Sequence, residues 1–334
     1  KILDPLPKEM RTRLQLPDAK DALRCIHFPD SQKQLQSAQR RISFAELLIL
    51  HVSMRLRKSA NRKRTGKQIF LDDSWLQAAI ASLPFTLTKA QIRVVDEILN
   101  DISKSNSMSR LVQGDVGSGK TIVAALALAA TTKNGDQAAL MAPTSILAEQ
   151  HYKSICSVLT CIPDLNLGGD DTPYIRLLLG STSDAERTEI ANGLLDGSIK
   201  ILIGTHALIQ DSVKFSNLAL AVVDEQHRFG VEQRAALRGK GNEPHLMVMT
   251  ATPIPRSLAL TLYGDLDLSI IDELPPGRRP VETRVVYPTQ RKDMYNFISA
   301  QIKNGGQAFL IYPIIEESDT LRVRAAVKEH KRLQ

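Results

Sequence analysis

Eight consecutive residues, Gly114-Asp115-Val116-Gly117-Ser118-Gly119-Lys120-Thr121, fit the phosphate-loop pattern G-x-x-x-x-G-K-[ST]. Glycines let the backbone curl until successive N–H groups face an anion, and a helix opening at the loop adds the partial positive charge of its N-terminus. In that chemistry Lys120 reaches the β- and γ-phosphates of a nucleotide, and Thr121 offers a hydroxyl to Mg²⁺. A phosphate loop alone specifies only nucleotide binding. The apolar run Leu220-Ala221-Val222-Val223 adds to it by ending in the pair Asp224-Glu225. One carboxylate at such a strand tip can hold Mg²⁺, and its neighbour can orient or deprotonate an attacking water. We assign Asp224 to the metal and Glu225 to the base, which with Lys120 form the catalytic set. Two adjacent acids favour hydrolysis over a switch or a transporter.

These residues need a scaffold that brings distant strand ends together. The loop follows Leu111-Val112-Gln113 and opens an apolar helical run over 122–130. Short apolar runs at 110–113, 138–142, 175–179, 201–204, 220–224 and 246–250 alternate with helical stretches, which predicts an α/β fold with a doubly wound parallel sheet. Residues 1–83 have a different texture. They contain Asp4-Pro5-Leu6-Pro7 and Phe28-Pro29-Asp30, then Phe44, Leu47, Leu48, His51 and Met54 at helical spacing. That pattern predicts a helix over 31–57 within a mostly helical connector. After Pro275-Pro276-Gly277, a break that no helix tolerates, runs at 282–287 and 308–312 predict two further strands. We read 280–334 as the start of a second α/β domain that the chain does not complete.

The 334 residues carry 43 Lys+Arg and 36 Asp+Glu, a formal charge of +7. Arg55, Arg57, Lys58, Arg62, Lys63, Arg64 and Lys67 lie together without an acid among them, so the rest of the chain is balanced. Such a run suits either a solvated helix C-terminus, where cations complement the dipole, or contact with phosphates. Aromatic residues make up 4% of the chain and Trp75 is the one tryptophan. That leaves no platform for stacking single-stranded bases and favours tracking of duplex backbone. The longest apolar run, 122–130, falls short of the roughly 20 residues needed to span a membrane. Cys25, Cys156 and Cys161 lack metal-ligand or C-x-x-C spacing and read as inert thiols of a reducing cytoplasm. A start at Lys1 rather than Met suggests a piece of something longer.

Asp224-Glu225-Gln226-His227 resembles the DExH box of superfamily 2 helicases, and it comes in company. Ala142-Pro143-Thr144 with Leu147-Ala148-Glu149-Gln150 resembles motif Ia, Gly204-Thr205-His206-Ala207 motif Ib, and Thr250-Ala251-Thr252-Pro253 motif III, in matching order. Phe85-Thr86-Leu87-Thr88 followed by Gln91 resembles the Q-motif region, which implies that Gln91 reads the adenine edge and that the nucleotide is ATP. Ile26-His27-Phe28-Pro29, Asp224-Glu225-Gln226-His227-Arg228-Phe229-Gly230-Val231, Thr252-Pro253-Ile254-Pro255-Arg256 and Asp272-Glu273-Leu274-Pro275-Pro276-Gly277-Arg278 are similar to the RecG family in particular. The motor of transcription-repair coupling factors shares several of these pieces.

The resemblance implies a RecA-like phosphate-loop NTPase domain at 84–279, a connector at 1–83 following an absent wedge domain, and an incomplete second RecA-like domain at 280–334. It implies a monomeric, ATP- and Mg²⁺-dependent duplex-DNA translocase acting on forks and Holliday junctions. Its setting would be the bacterial cytoplasm, associated with the nucleoid, and a single-strand-binding protein is a further candidate partner. Gln226, His227, Thr250 and Thr252 would couple nucleotide state to DNA, and Thr144, Gln150, Thr205 and His206 would touch the sugar-phosphate backbone. Thr144 reads equally well as a helix N-cap. The motif VI arginines that complete the ATP site across the domain cleft do not occur before Gln334, so weak hydrolysis by the chain alone is expected. Two alternatives remain open at this stage, the motor of a coupling factor and a nucleotide-gated DNA-binding module.

Overall fold

The computed structural model describes residues 3–62, 65–163, 165, 174–224, 236–252, 266–275 and 282–311, with only the backbone of 57, 58, 60–62 and 73. The chain divides into two compact units, Lys1–Arg278 and Arg279–Gln334.

The first unit is built on a seven-stranded parallel sheet. Its strands are β1 (Ser109–Gly114), β2 (Gln137–Met141), β3 (Ile175–Leu178), β4 (Ile201–Gly204), β5 (Leu218–Val223), β6 (His245–Thr250) and β7 (Asp267–Ile271), in the spatial order β3-β4-β2-β5-β6-β1-β7. Six of them fall where the apolar runs predicted strands. The seventh, β7, pairs with β1 at the sheet edge and was not expected. Its half-polar sequence buries only alternate positions, Ser269 and Ile271.

Side-chain alternation divides the core into two layers. Val112, Ala138, Leu140, Leu220 and Val222 point into the layer made with α5 (Lys89–Ile102), α6 (Lys120–Lys133) and α7 (Ser145–Leu159). Leu111, Ala139, Met141, Ala221 and Val223 point into the opposite layer, with α8 (Asp184–Asp196). Both faces of these strands are covered, which is why they read as continuous apolar runs. Helix α6 is apolar on every side and buried from Ile122 to Thr132. Each fully buried leucine on it, Leu126 and Leu128 among them, contributes about 2 kcal/mol of transfer free energy.

Ahead of the sheet lie α1 (Lys8–Leu14), α2 (Ala19–His27), α3 (Gln32–Arg62) and α4 (Asp73–Ala81). The predicted connector helix is present and runs five residues further than expected, into the cationic run. Arg41 of α3 is buried, donating to the Pro17 carbonyl and, at 2.6 Å, to Asp4. Asp4 also accepts from the Leu6 and Ala19 amides. These bonds and the Arg41 guanidinium hold its carboxyl below the usual carboxylate value against the opposing effect of burial, the largest influence on it.

A short strap then fastens the connector beneath the sheet. Gly66 donates to Ser105, Ile69 donates to Ile102, and the Lys67 carbonyl accepts from His245 Nε2 at 2.6 Å. The Lys67 ammonium pairs with Asp136, which is fully buried and also accepts from Asn134 and Asn217. Lys67, grouped by the sequence with the cationic run, is therefore paired within the protein; Arg55 is exposed. Lys63 and Arg64 lie outside the described residues, as do the side chains of Arg57, Lys58 and Arg62.

In the second unit, Pro288–Gln290 form one turn of 3-10 helix leading into the helix Arg291–Lys303. The strands expected at 282–287 and 308–312 are not seen. Residues 282–287 and 308–311 make no ladder among the described residues, and Tyr312 lies outside them. A strand exists through the neighbour that takes its backbone bonds, and apolar side chains alone do not supply one.

Candidate ATP site and DNA-facing edge

All strands of the sheet are parallel, so every strand C-terminus meets one edge, the place where open α/β sheets bind ligands. The motifs line up along it in spatial order. Thr205 and His206 follow β4, Thr144 follows β2, Asp224 follows β5, Thr250 closes β6, and the phosphate loop follows β1. In the ladder Val223 pairs with Val248, and Thr250 pairs with Gln113. Thr250 thus stands between Asp224 and the phosphate loop.

The loop's shape rests on two glycines. Gly119 has φ +88°, and a Cβ there would lie 2.2 Å from Gln91 Nε2. A Cβ on Gly114 would lie 2.4 Å from Ser118 Oγ. Lys120 Nζ donates to the carbonyls of Gly114 and Asp115, at 2.8 and 3.0 Å, so the lysine bends back over the loop. Ser118 is buried and its hydroxyl has no partner among the described residues. A cradle without room for side chains, an inward lysine and a buried hydroxyl with spare bonding capacity fit an anionic ligand. Asp115, Val116 and Gly117 lie exposed on its rim, with Thr121 half-buried at the first turn of α6.

Gln91 supports this loop from below. Thr88 and Gln91 form a capping box at the start of α5, in which Gln91 Oε1 accepts from the Thr88 amide at 2.8 Å. Gln91 Nε2 donates to the Ser118 carbonyl, also at 2.8 Å. Both ends of the buried amide are engaged with protein. One N–H and one lone pair of the amide are left for a further contact. One residue earlier, the Ala90 amide donates to Glu273 Oε2 at 3.1 Å, so the segment after β7 clamps the same helix start.

Asp224 is buried at the tip of β5. Its amide donates to the Met141 carbonyl, and its Oδ2 lies 2.7 Å from His151 Nε2. Thr250 and Thr252 share a hydroxyl–hydroxyl bond of 2.9 Å, and the Thr252 amide donates to Thr250 Oγ1. Glu225, Gln226 and His227 lie outside the described residues.

A DEAD/DEAH box helicase model matches residues 88–261, more than half of the chain. The chain belongs to the DEAD/DEAH box helicase family. Within it, the ATP-dependent DNA helicase RecG of Synechocystis sp. is 48% identical over 336 residues, covering 100% of this chain and 39% of that protein. RecG of Bacillus subtilis is 46% identical, covering 99% of this chain and 47% of that protein. A solved structure of RecG bound to a three-way DNA junction aligns with TM-score 0.83 and 39% identity, covering 100% of this chain and 43% of that one. The expected RecG resemblance thus extends along the whole chain, which spans less than half the length of these relatives. Among the described residues no helix is long and apolar enough to cross a membrane.

The four backbone-contact candidates differ in setting. Gln150 and His206 are exposed, and Thr144 is half-buried as the N-cap of α7, accepting from the Leu147 amide at 3.3 Å. Thr205 is buried, and its hydroxyl has no partner among the described residues. Sequence reasoning missed His151 and Glu273. For His151 a signal existed, because Ala148, His151, Ile155 and Leu159 recur at helical spacing and form the buried face of α7. A histidine within an apolar stripe needs a polar partner inside the protein.

Proposed function

We propose that this chain forms the nucleotide-binding part of an ATP-dependent double-stranded DNA translocase that remodels branched DNA, including stalled forks and Holliday junctions. The observation that carries this reading is the order along one sheet edge. Candidate DNA contacts occupy the β4 and β2 end, the phosphate loop occupies the β1 end, and Asp224 with the Thr250–Thr252 pair stands between them. Such an order is what a machine needs to relate phosphate chemistry to DNA position. The junction-bound RecG relative supports branched duplex as the substrate.

In this mechanism the loop amides and Lys120 bind and orient the ATP phosphates, while the glycines permit close approach. Thr121 and Asp224 would hold Mg²⁺, whose charge neutralises the phosphates when it is bound. Glu225 takes the proton of the attacking water. Gln226, His227, Thr250 and Thr252 relay the nucleotide state, and Thr144, Gln150, Thr205 and His206 meet the sugar-phosphate backbone, which positions DNA without reading sequence. The same reading carries a monomer working at the bacterial nucleoid, with a single-strand-binding protein as a candidate partner.

Glu225→Gln in the intact helicase tests the assignment. The variant keeps its affinity for ATP and loses junction-stimulated turnover by about 10³, within the usual range for a general base. Unchanged turnover would reject the catalytic role of Glu225. Equal stimulation by linear duplex and by a three-way junction would reject branched DNA as the preferred substrate.

A further inference from the structure

His151 belongs to no motif assigned above, yet among the described residues its side chain bonds that of Asp224. It lies in the second turn of α7, buried, with Nε2 2.7 Å from Asp224 Oδ2. A carboxylate only accepts hydrogen bonds, so against ionised Asp224 the imidazole donates from Nε2. One oxygen is thereby engaged and the rotation of the carboxyl group is fixed. The main chain of Asp224 is fixed independently through Met141, the last residue of β2, three positions before the Thr144 cap that opens α7. Both restraints on Asp224 thus come from the β2–α7 unit.

We propose that His151 is a positioning residue of the ATP site, which aims the Asp224 carboxylate at the metal and makes that aim depend on where α7 sits. This rests on the reading of Asp224 as the Mg²⁺ carboxylate. The N-terminus of α7 carries Thr144, and Gln150, the neighbour of His151, is exposed. The helix proposed to meet DNA therefore also grips the metal carboxylate. A displacement of α7 moves His151 directly, without passing through the phosphate loop or Glu225.

The test uses a fluorescent, non-hydrolysable ATP analogue titrated onto the chain in EDTA and at increasing Mg²⁺. His151→Leu keeps an apolar side chain on the buried face of α7 and removes the donor, whereas His151→Gln can return an N–H near the Nε2 position. Outer-shell partners of metal ligands typically contribute 10–100-fold in metal affinity. We expect His151→Leu to raise the half-saturating Mg²⁺ at least about tenfold, His151→Gln to recover most of that loss, and analogue affinity in EDTA to stay unchanged. An unaltered Mg²⁺ requirement in His151→Leu would overturn the proposal, and so would equal losses in the Leu and Gln variants, which would mark a packing role. Circular dichroism checks folding, and His151→Ala carries the same comparison if the Leu variant is unfolded. Failure of the underlying reading looks different, because Asp224→Asn would then also leave the half-saturating Mg²⁺ unchanged.

Discussion

Replacing Gly119 by alanine separates two effects that meet at one atom. The residue sits at φ +88° and ψ 28°, a left-handed conformation that costs a residue with a Cβ about 1–2 kcal/mol. The new Cβ would also fall 2.2 Å from Gln91 Nε2. That nitrogen cannot swing aside freely, since it donates to Ser118 while the other end of the amide accepts from Thr88. Losing one buried bond adds about 1–3 kcal/mol. Together, about 3 kcal/mol stands against the loop shape that binds phosphate, and at 1.4 kcal/mol per decade this weakens nucleotide binding by about two orders of magnitude. Titration with a fluorescent ATP analogue measures it. Gln91→Ala added to Gly119→Ala removes the clash and leaves the backbone strain, so the double variant should bind more tightly than Gly119→Ala alone. If Gly119→Ala bound within about twofold of the parent chain, the argument from the cradle would be refuted, because a shift that small is only about 0.4 kcal/mol.

Two further outcomes concern the strap beneath the sheet. Met108 donates to His245 Nδ1, so the ring must be neutral and carry its proton on Nε2, and burial holds its pKa below 6.5. The unfolded chain takes up a proton that the folded chain refuses, so stability is intact above pH 6.5 and declines as the pH falls through the lowered value. Urea unfolding at about pH 7.5 and about pH 5.5 should show that loss in the parent, and less of it in His245→Gln, where nothing titrates in this range. Lys67→Ala leaves buried Asp136, among the described residues, with the two asparagine donors, and should cost about 2 kcal/mol. A urea midpoint equal to that of the parent would show that the pair contributes nothing.

The features legible in the sequence were those encoded locally. The phosphate loop is eight contiguous residues, and six strands declared themselves as apolar runs, five of them because burial on both faces demands it. Strand β7 stayed hidden because its interior position Ser269 buries a hydroxyl against Arg110 at 2.6 Å, a compensation that needs a partner 159 residues away. The expected strands at 282–287 and 308–312 failed for the converse reason, having apolar side chains without a neighbour among the described residues. Lys67 was grouped with the surface cations around it, and only the fold brings it to Asp136. Likewise, the bonds of the Gln91 amide to Thr88 and Ser118 follow from the fold and not from the Q-motif pattern. The residues meant to act together were readable from order. The hydrogen bonds between His151 and Asp224 and from the Ala90 amide to Glu273 join positions 73 and 183 residues apart; the apolar stripe of α7 signals that His151 needs a buried partner, but no local pattern says which.

Strand β6 begins at His245, bonded to the strap at Lys67, and ends at Thr250, beside the phosphate-loop strand. Its six residues span about 20 Å, and it is locked between β5 and β1. A central strand of a parallel sheet neither stretches nor slips without breaking two ladders at once. The strap at Lys67 is therefore joined to the edge that carries the phosphate loop by one unbroken interior strand rather than by a loop, so the two ends of β6 keep a fixed separation.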